Sequence, residues 1–140
     1  MLNNLAGFFT KFKSETGGQL DLRDCSGGFF LRTLVKTADY QCLRGDSGTI
    51  FTTRGATGAV IFTLPALCAG WWGLFVAGAA QNLTVTNAVV DTLVAFDDVD
   101  ADGLAIDARQ VGCGILVFCD GTRYHATTLP NLATDYTVAT

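Results

Sequence analysis

The residues best placed for metal chemistry are Asp98, Asp100 and Asp102, followed by Gly103. Alternating carboxylates before a glycine open calcium loops of the EF-hand kind, where oxygens converge on the cation and glycine permits the sharp turn. The position that would need a bidentate Glu is Arg109, of the wrong charge, and no flanking helices are expected. Asp97 and Asp107 are further oxygen donors, but the simpler expectation is a solvated acidic loop over 97–103 with no metal. His125 is the single histidine, and on a strand it shares a face with Arg123 and Thr127. A Ser-His-Asp triad needs an exposed nucleophile, and Ser14, Ser26 and Ser47 lie outside any G-x-S-x-G turn. Arg44-Gly45-Asp46 is a tripeptide that integrins read from loops, but with Ser47-Gly48 it reads as ordinary turn chemistry. Phosphate-cradling glycine motifs are missing from the sequence. No catalytic residue, cofactor, metal or small-molecule substrate is expected.

Trp71-Trp72 could stack on a sugar or a base, but at the head of an apolar strand they read as core or interface anchors. Cys25, Cys42, Cys68, Cys113 and Cys119 are odd in number and lack C-x-x-C spacing, which argues against a zinc ribbon or a disulfide framework. Cys68, Cys113 and Cys119 sit in apolar company, so they are expected as small core residues in a reducing compartment. The sequon Asn82-Leu83-Thr84 has meaning only in a secreted protein, and the N-terminal residues do not read as a signal peptide.

The elements that must carry these residues are strands. From Leu34 onward, short β-branched and aromatic runs alternate with turn signals: Thr37–Leu43, Thr49–Thr53, Asn82–Thr86, Thr92–Phe96, Gly112–Cys119, Arg123–Thr128 and Thr134–Ala139. Asp120-Gly121 is a strong hairpin signal. Between Val60 and Ala80 the only polar residue is Thr63, a run long enough to cross a bilayer. Pro65, Gly70, Gly73 and Gly78 oppose a helix there, and no Lys/Arg cluster stands at either end to set an orientation. Two strands, about 59–64 and 71–77, joined as a hairpin by Pro65–Gly70, are expected in place of a membrane span. Val60, Phe62 and Leu64 would share one face, and Trp72, Leu74 and Val76 another. A sheet apolar on both faces needs cover on both, from a second sheet or another subunit. The fold class is therefore all-β: a single β-sandwich or barrel of about eight to nine short antiparallel strands.

The 140 residues are 49% hydrophobic and only 16% charged, against a usual charged share of about 25%, so disorder is excluded for most of the chain. The net charge of −4 is uneven. Residues 1–36 hold five basic and three acidic side chains, and residues 37–140 hold four basic and ten acidic. An acidic body repels phosphate backbones, so nucleic acid is not an expected partner. Residues 1–35 read as an extended arm or anchor and residues 36–140 as the body. Within the arm, Asn3 or Asn4 caps a short helix bearing Leu5, Phe8, Phe9 and Phe12, ended by Gly17-Gly18. Phe8 and Phe12, with Phe29 and Phe30, could instead fill the one core.

The order of the strands resembles a known group. Asp46-Ser47-Gly48-Thr49-Ile50-Phe51 is followed by Gly55-Ala56-Thr57-Gly58-Ala59-Val60-Ile61-Phe62-Thr63-Leu64-Pro65. Ala80-Gln81-Asn82-Leu83-Thr84-Val85-Thr86 and Asp91-Thr92 come next, and Asp120-Gly121-Thr122-Arg123-Tyr124 closes the series. This cadence, over residues 37–129, resembles small β-rich structural domains of tailed bacteriophages, found in capsid decoration (cement) proteins and in tail fibres and spikes. The Asp97–Asp102 segment and the apolar Trp71–Ala80 depart from it, and residues 1–35 lie outside it. The resemblance implies a non-enzymatic virion protein that works as a homotrimer. Its partners would be copies of itself and the major capsid protein, and its location the capsid surface, after assembly in the host cytoplasm. The alternatives are a fibre or spike module contacting a host receptor, or a calcium-dependent carbohydrate-binding module using Trp71, Trp72 and Asp98–Asp102.

Overall fold

A computed structural model describes residues 31–129 and 136–140. Most of the expected arm, with its Asn-capped helix, and Cys25 lie outside the described residues. The described residues form strands β1 (Arg32–Val35), β2 (Tyr40–Gln41), β3 (Thr49–Thr52), β4 (Val60–Thr63), β5 (Trp72–Val76) and β6 (Leu83–Thr86). They continue with β7 (Leu93–Ala95), β8 (Asp98–Ala101), β9 (Gly103–Ile106), β10 (Gly114–Cys119), β11 (Tyr124–Leu129) and β12 (Tyr136–Ala139). Two sheets result, one in the order β1-β3-β5-β10-β11-β7-β8 and one in the order β12-β9-β6-β4-β2.

The expectation of an antiparallel fold of eight or nine strands is corrected on both counts. Twelve strands are described, and both sheets are mixed. β1–β3, β3–β5, β2–β4, β4–β6 and β7–β11 pair in parallel. The reason lies in the connections. From β1 to β6 the chain visits the two sheets in strict alternation, so each strand pairs with the strand two places along, which runs the same way. A parallel pair needs a crossover of a dozen residues or more, and here a strand of the other sheet supplies it in place of a helix.

The hairpin expected over 59–77 is corrected for the same reason. β4 pairs with β2 and β6 in the five-stranded sheet, and β5 pairs with β3 and β10 in the seven-stranded one. Pro65–Gly70 carries the chain from one sheet to the other. No helix among the described residues is long and apolar enough to cross a membrane. The Asp120-Gly121 hairpin forms as expected: β10 and β11 are antiparallel, with Cys119 opposite Tyr124 and Gly121 at φ 104°.

The core lies where the two sheets meet. Phe51 (β3) and Phe75 (β5) stack at 5.0 Å, and Phe62 (β4), from the other sheet, packs on them at 5.4 and 5.1 Å. Around them Val60, Leu64, Leu83, Leu104, Ile106 and Ile115 are fully buried. Polar side chains tie the sheets together at two places. The Tyr136 hydroxyl on β12 donates to the carbonyls of Gly114 and Leu129, on β10 and β11. Asp46, only 3% exposed in a 3₁₀ turn, accepts from the Tyr40 hydroxyl and the Leu43 amide, each at 2.9 Å, and lies 3.3 Å from Arg32. Asp46 thus bridges β1, an edge of the larger sheet, and β2, an edge of the smaller. Burial with the neighbouring Asp46 carboxylate pushes the Cys42 thiol up to about 12. Burial and the same hydrogen bond raise the Tyr40 phenol.

Candidate functional site

The carboxylates singled out for calcium do not converge. The expected acidic loop is the edge strand β8, drawn into the larger sheet because Ala101 is buried opposite Leu93. Asp98 Oδ1 accepts from the amide of Asp100. Asp100 Oδ1 lies 2.7 Å from Arg123, whose guanidinium also donates to the Val99 carbonyl. Asp102 Oδ1 accepts from the amide of Asp91. Each carboxylate is committed to a different partner, and no group of three metal-ligating side chains occurs among the described residues.

His125 faces outward on β11, next to the β10–β11 turn. Its Nε2 lies 2.8 Å from Asp120 Oδ2, and its ring stacks on Phe118 with centroids 5.0 Å apart. Asp120 Oδ1 accepts from the amides of Thr122 and Arg123 and from the Thr122 hydroxyl. The His125 hydrogen bond first, then these donors, hold the Asp120 carboxyl well below the usual carboxylate range. Asp120 therefore pins the turn and orients the imidazole. Thr122 is the hydroxyl the turn brings to Asp120, and it donates to the carboxylate. Asp46 of Arg44-Gly45-Asp46 is spent on the inter-sheet bridge, so the tripeptide is not displayed as one exposed unit. Cys42, Cys113 and Cys119 are buried free thiols and Cys68 is half-buried.

The tandem tryptophans separate, because adjacent residues of a strand point to opposite faces. Trp71 is buried, donates from Nε1 to the Leu43 carbonyl and meets Tyr124 edge-on at 5.9 Å. The inward set is thus Trp71, Gly73, Phe75 and Ala77, and the expected set Trp72, Leu74 and Val76 forms the half-buried outer face of β5.

Cross-strand register extends that outer face across the larger sheet. Trp72 lies opposite Phe118, and Phe118 opposite His125. In the next row Ile50, Leu74, Leu116 and Thr127 are successive neighbours. In the third, Val35, Thr52, Val76, Gly114 and Leu129 follow. No Asp, Glu, Lys or Arg falls in these rows. The smaller sheet is uncharged along its outer rows as well but carries smaller, more polar side chains there. Its outer rows are Ile61, Thr84, Ala105 and Thr137, then Thr63, Thr86, Gly103 and Ala139. Threonine suits a strand that faces water, whereas tryptophan, leucine and phenylalanine in cross-strand register leave an apolar outer face. The sequence reading named Trp72, Leu74 and Val76 as sharing a face but missed Leu116 and Phe118. Only the pairing of β5 with β10 brings those two beside them.

No family model and no curated protein matches the chain.

Proposed function

We propose that this chain is a non-enzymatic structural protein of a tailed-bacteriophage virion, a homotrimeric capsid decoration protein that crosslinks and stabilises the shell. In this reading its two sheets close as a single β-sandwich. The observation that carries it is the contrast between two uncharged outer faces, one of small residues and threonine and the other with tryptophan, phenylalanine and leucine in register. Such a protein works while covered. The strand order that resembles phage decoration domains supplies the setting. Each contact made only in the assembled shell stabilises that shell by mass action, so no chemical step is needed. The acidic body disfavours nucleic acid, and the major capsid protein is the second partner. The carbohydrate-binding alternative loses its support, since Trp71 is buried and the carboxylates of β8 diverge. The test is to mix the purified chain with undecorated capsids and, separately, with tails. Co-sedimentation with capsids, density at shell threefolds and a raised shell-melting temperature are expected. Binding to tails alone would refute it.

A further inference from the structure

We infer that the outer face of β5 and β10, centred on Trp72, Leu74, Leu116 and Phe118, is the surface through which copies of this chain meet. The inference rests on the reading that the protein self-associates, and it says where. Three observations select a second copy as the occupant.

The first is charge. The chain carries −4 overall, so two copies repel across most of their surfaces. The rows of this face hold no fixed charge, so two copies can approach on it without that cost; the smaller sheet's outer rows are uncharged too, and what sets this face apart is its tryptophan, phenylalanine and leucines. A neutral face can pack against an uncharged patch of the next copy, so charge does not bar the heterologous contact that a cyclic trimer repeats. At its rim Arg123 is already paired within the chain, with Asp100 at 2.7 Å.

The second is size. Five strands at about 4.8 Å spacing and three rows about 6.7 Å apart cover roughly 500 Å². Burying it against an equal area of the next copy removes about 1,000 Å² from water, the threshold at which a specific interface begins. The third is the hot-spot chemistry. Trp72 and Phe118 are direct cross-strand neighbours at one end, with the Leu74–Leu116 pair beside them. A large aromatic anchor flanked by leucines is how the centre of an interface is built. Phe118, 48% exposed, is the anchor that stands furthest into solvent.

The test uses the full chain at micromolar concentration. Phe118→Lys places an ammonium on the face beside Trp72, and Ile61→Lys places one on the outer face of the other sheet, where Ile61 is 41% exposed. Sedimentation should show an oligomer for the unmodified protein and for Ile61→Lys. Phe118→Lys should weaken association by about a hundredfold, with unchanged circular dichroism. A benzophenone amino acid at position 118 should crosslink one copy to another. An oligomer that survives Phe118→Lys, or crosslinks that stay within one chain, for instance to residues 1–30, would overturn the inference and leave the trimeric reading standing. A monomeric unmodified protein would overturn both.

Discussion

Asp46 offers the sharpest quantitative test of how the fold is held. Asp46→Ala removes the acceptor of the Tyr40 hydroxyl and the Leu43 amide, both at 2.9 Å, from a nearly closed site. Each hydrogen bond to a carboxylate contributes about 1.5–3 kcal/mol. The Arg32 side chain at 3.3 Å is 46% exposed, so its ion pair adds less than about 1 kcal/mol and its guanidinium rehydrates when the partner is lost. The expected loss is therefore about 3–6 kcal/mol, overlapping the range of about 3–5 kcal/mol seen when a buried charge loses its partner. Asp46→Asn keeps the shape and one acceptor oxygen, and should cost about half as much. Arg32→Ala should cost under about 1 kcal/mol. Urea unfolding reads these differences. A domain of this size has a slope of about 1–2 kcal/mol per molar urea, so Asp46→Ala should lower the midpoint by roughly 2 M or more. Trp71 is a built-in reporter, because its indole donates to the Leu43 carbonyl beside the site. A loss below about 1 kcal/mol for Asp46→Ala, or equal losses for Asp46→Ala and Arg32→Ala, would refute the reasoning. The bridge would then be an exposed ion pair and not a buried hydrogen-bonded acceptor.

Gly78→Ala should destabilise by about 2 kcal/mol or more in the same assay, because a Cβ there would press on the Thr52 hydroxyl and sit 2.7 Å from the Arg54 amide nitrogen. Unchanged stability would mean that the Thr52–Gly78 approach is looser than described. The lowered Asp120 carboxyl stabilises the folded state above the unfolded-state value near about 4, and that contribution is lost as pH falls through it toward the folded value. The midpoint gap between the unmodified protein and Asp120→Asn should accordingly be full at neutral pH and close in acid; a gap that widens in acid would have the wrong sign. Calcium and EDTA should leave the melting temperature of the unmodified protein and of Asp100→Ala unchanged, since Asp98, Asp100 and Asp102 point to separate partners. A rise with calcium that Asp100→Ala abolishes would restore the metal reading.

The local grammar was legible because it depends on neighbours in the chain. Alternation placed Val60, Phe62 and Leu64 on the buried face and Leu83 and Val85 on that of β6. Asp120-Gly121 marked its hairpin, since only a glycine takes φ 104° there without strain. Proline and glycines kept the apolar run 60–80 out of a helix. Partnership between strands was not legible. A β-branched run beside a turn reads alike whether the chain folds back on itself or crosses to the facing sheet, so β4 and β5 looked like a hairpin. Asp97–Asp102 read as loop because its carboxylates mask the one position, Ala101, whose burial makes it a strand.

Composition and periodicity alone determined that this chain is pleated, poor in charge and rich in apolar side chains, because those properties belong to each residue and its immediate neighbours. Which strands stand side by side, that Trp71 closes the core while Trp72 joins Phe118 outside, and that Asp46 spans two sheet edges, were decided by contacts between residues far apart in sequence. Such contacts leave no local mark, since the free energy that selects them comes from burying both partners at once.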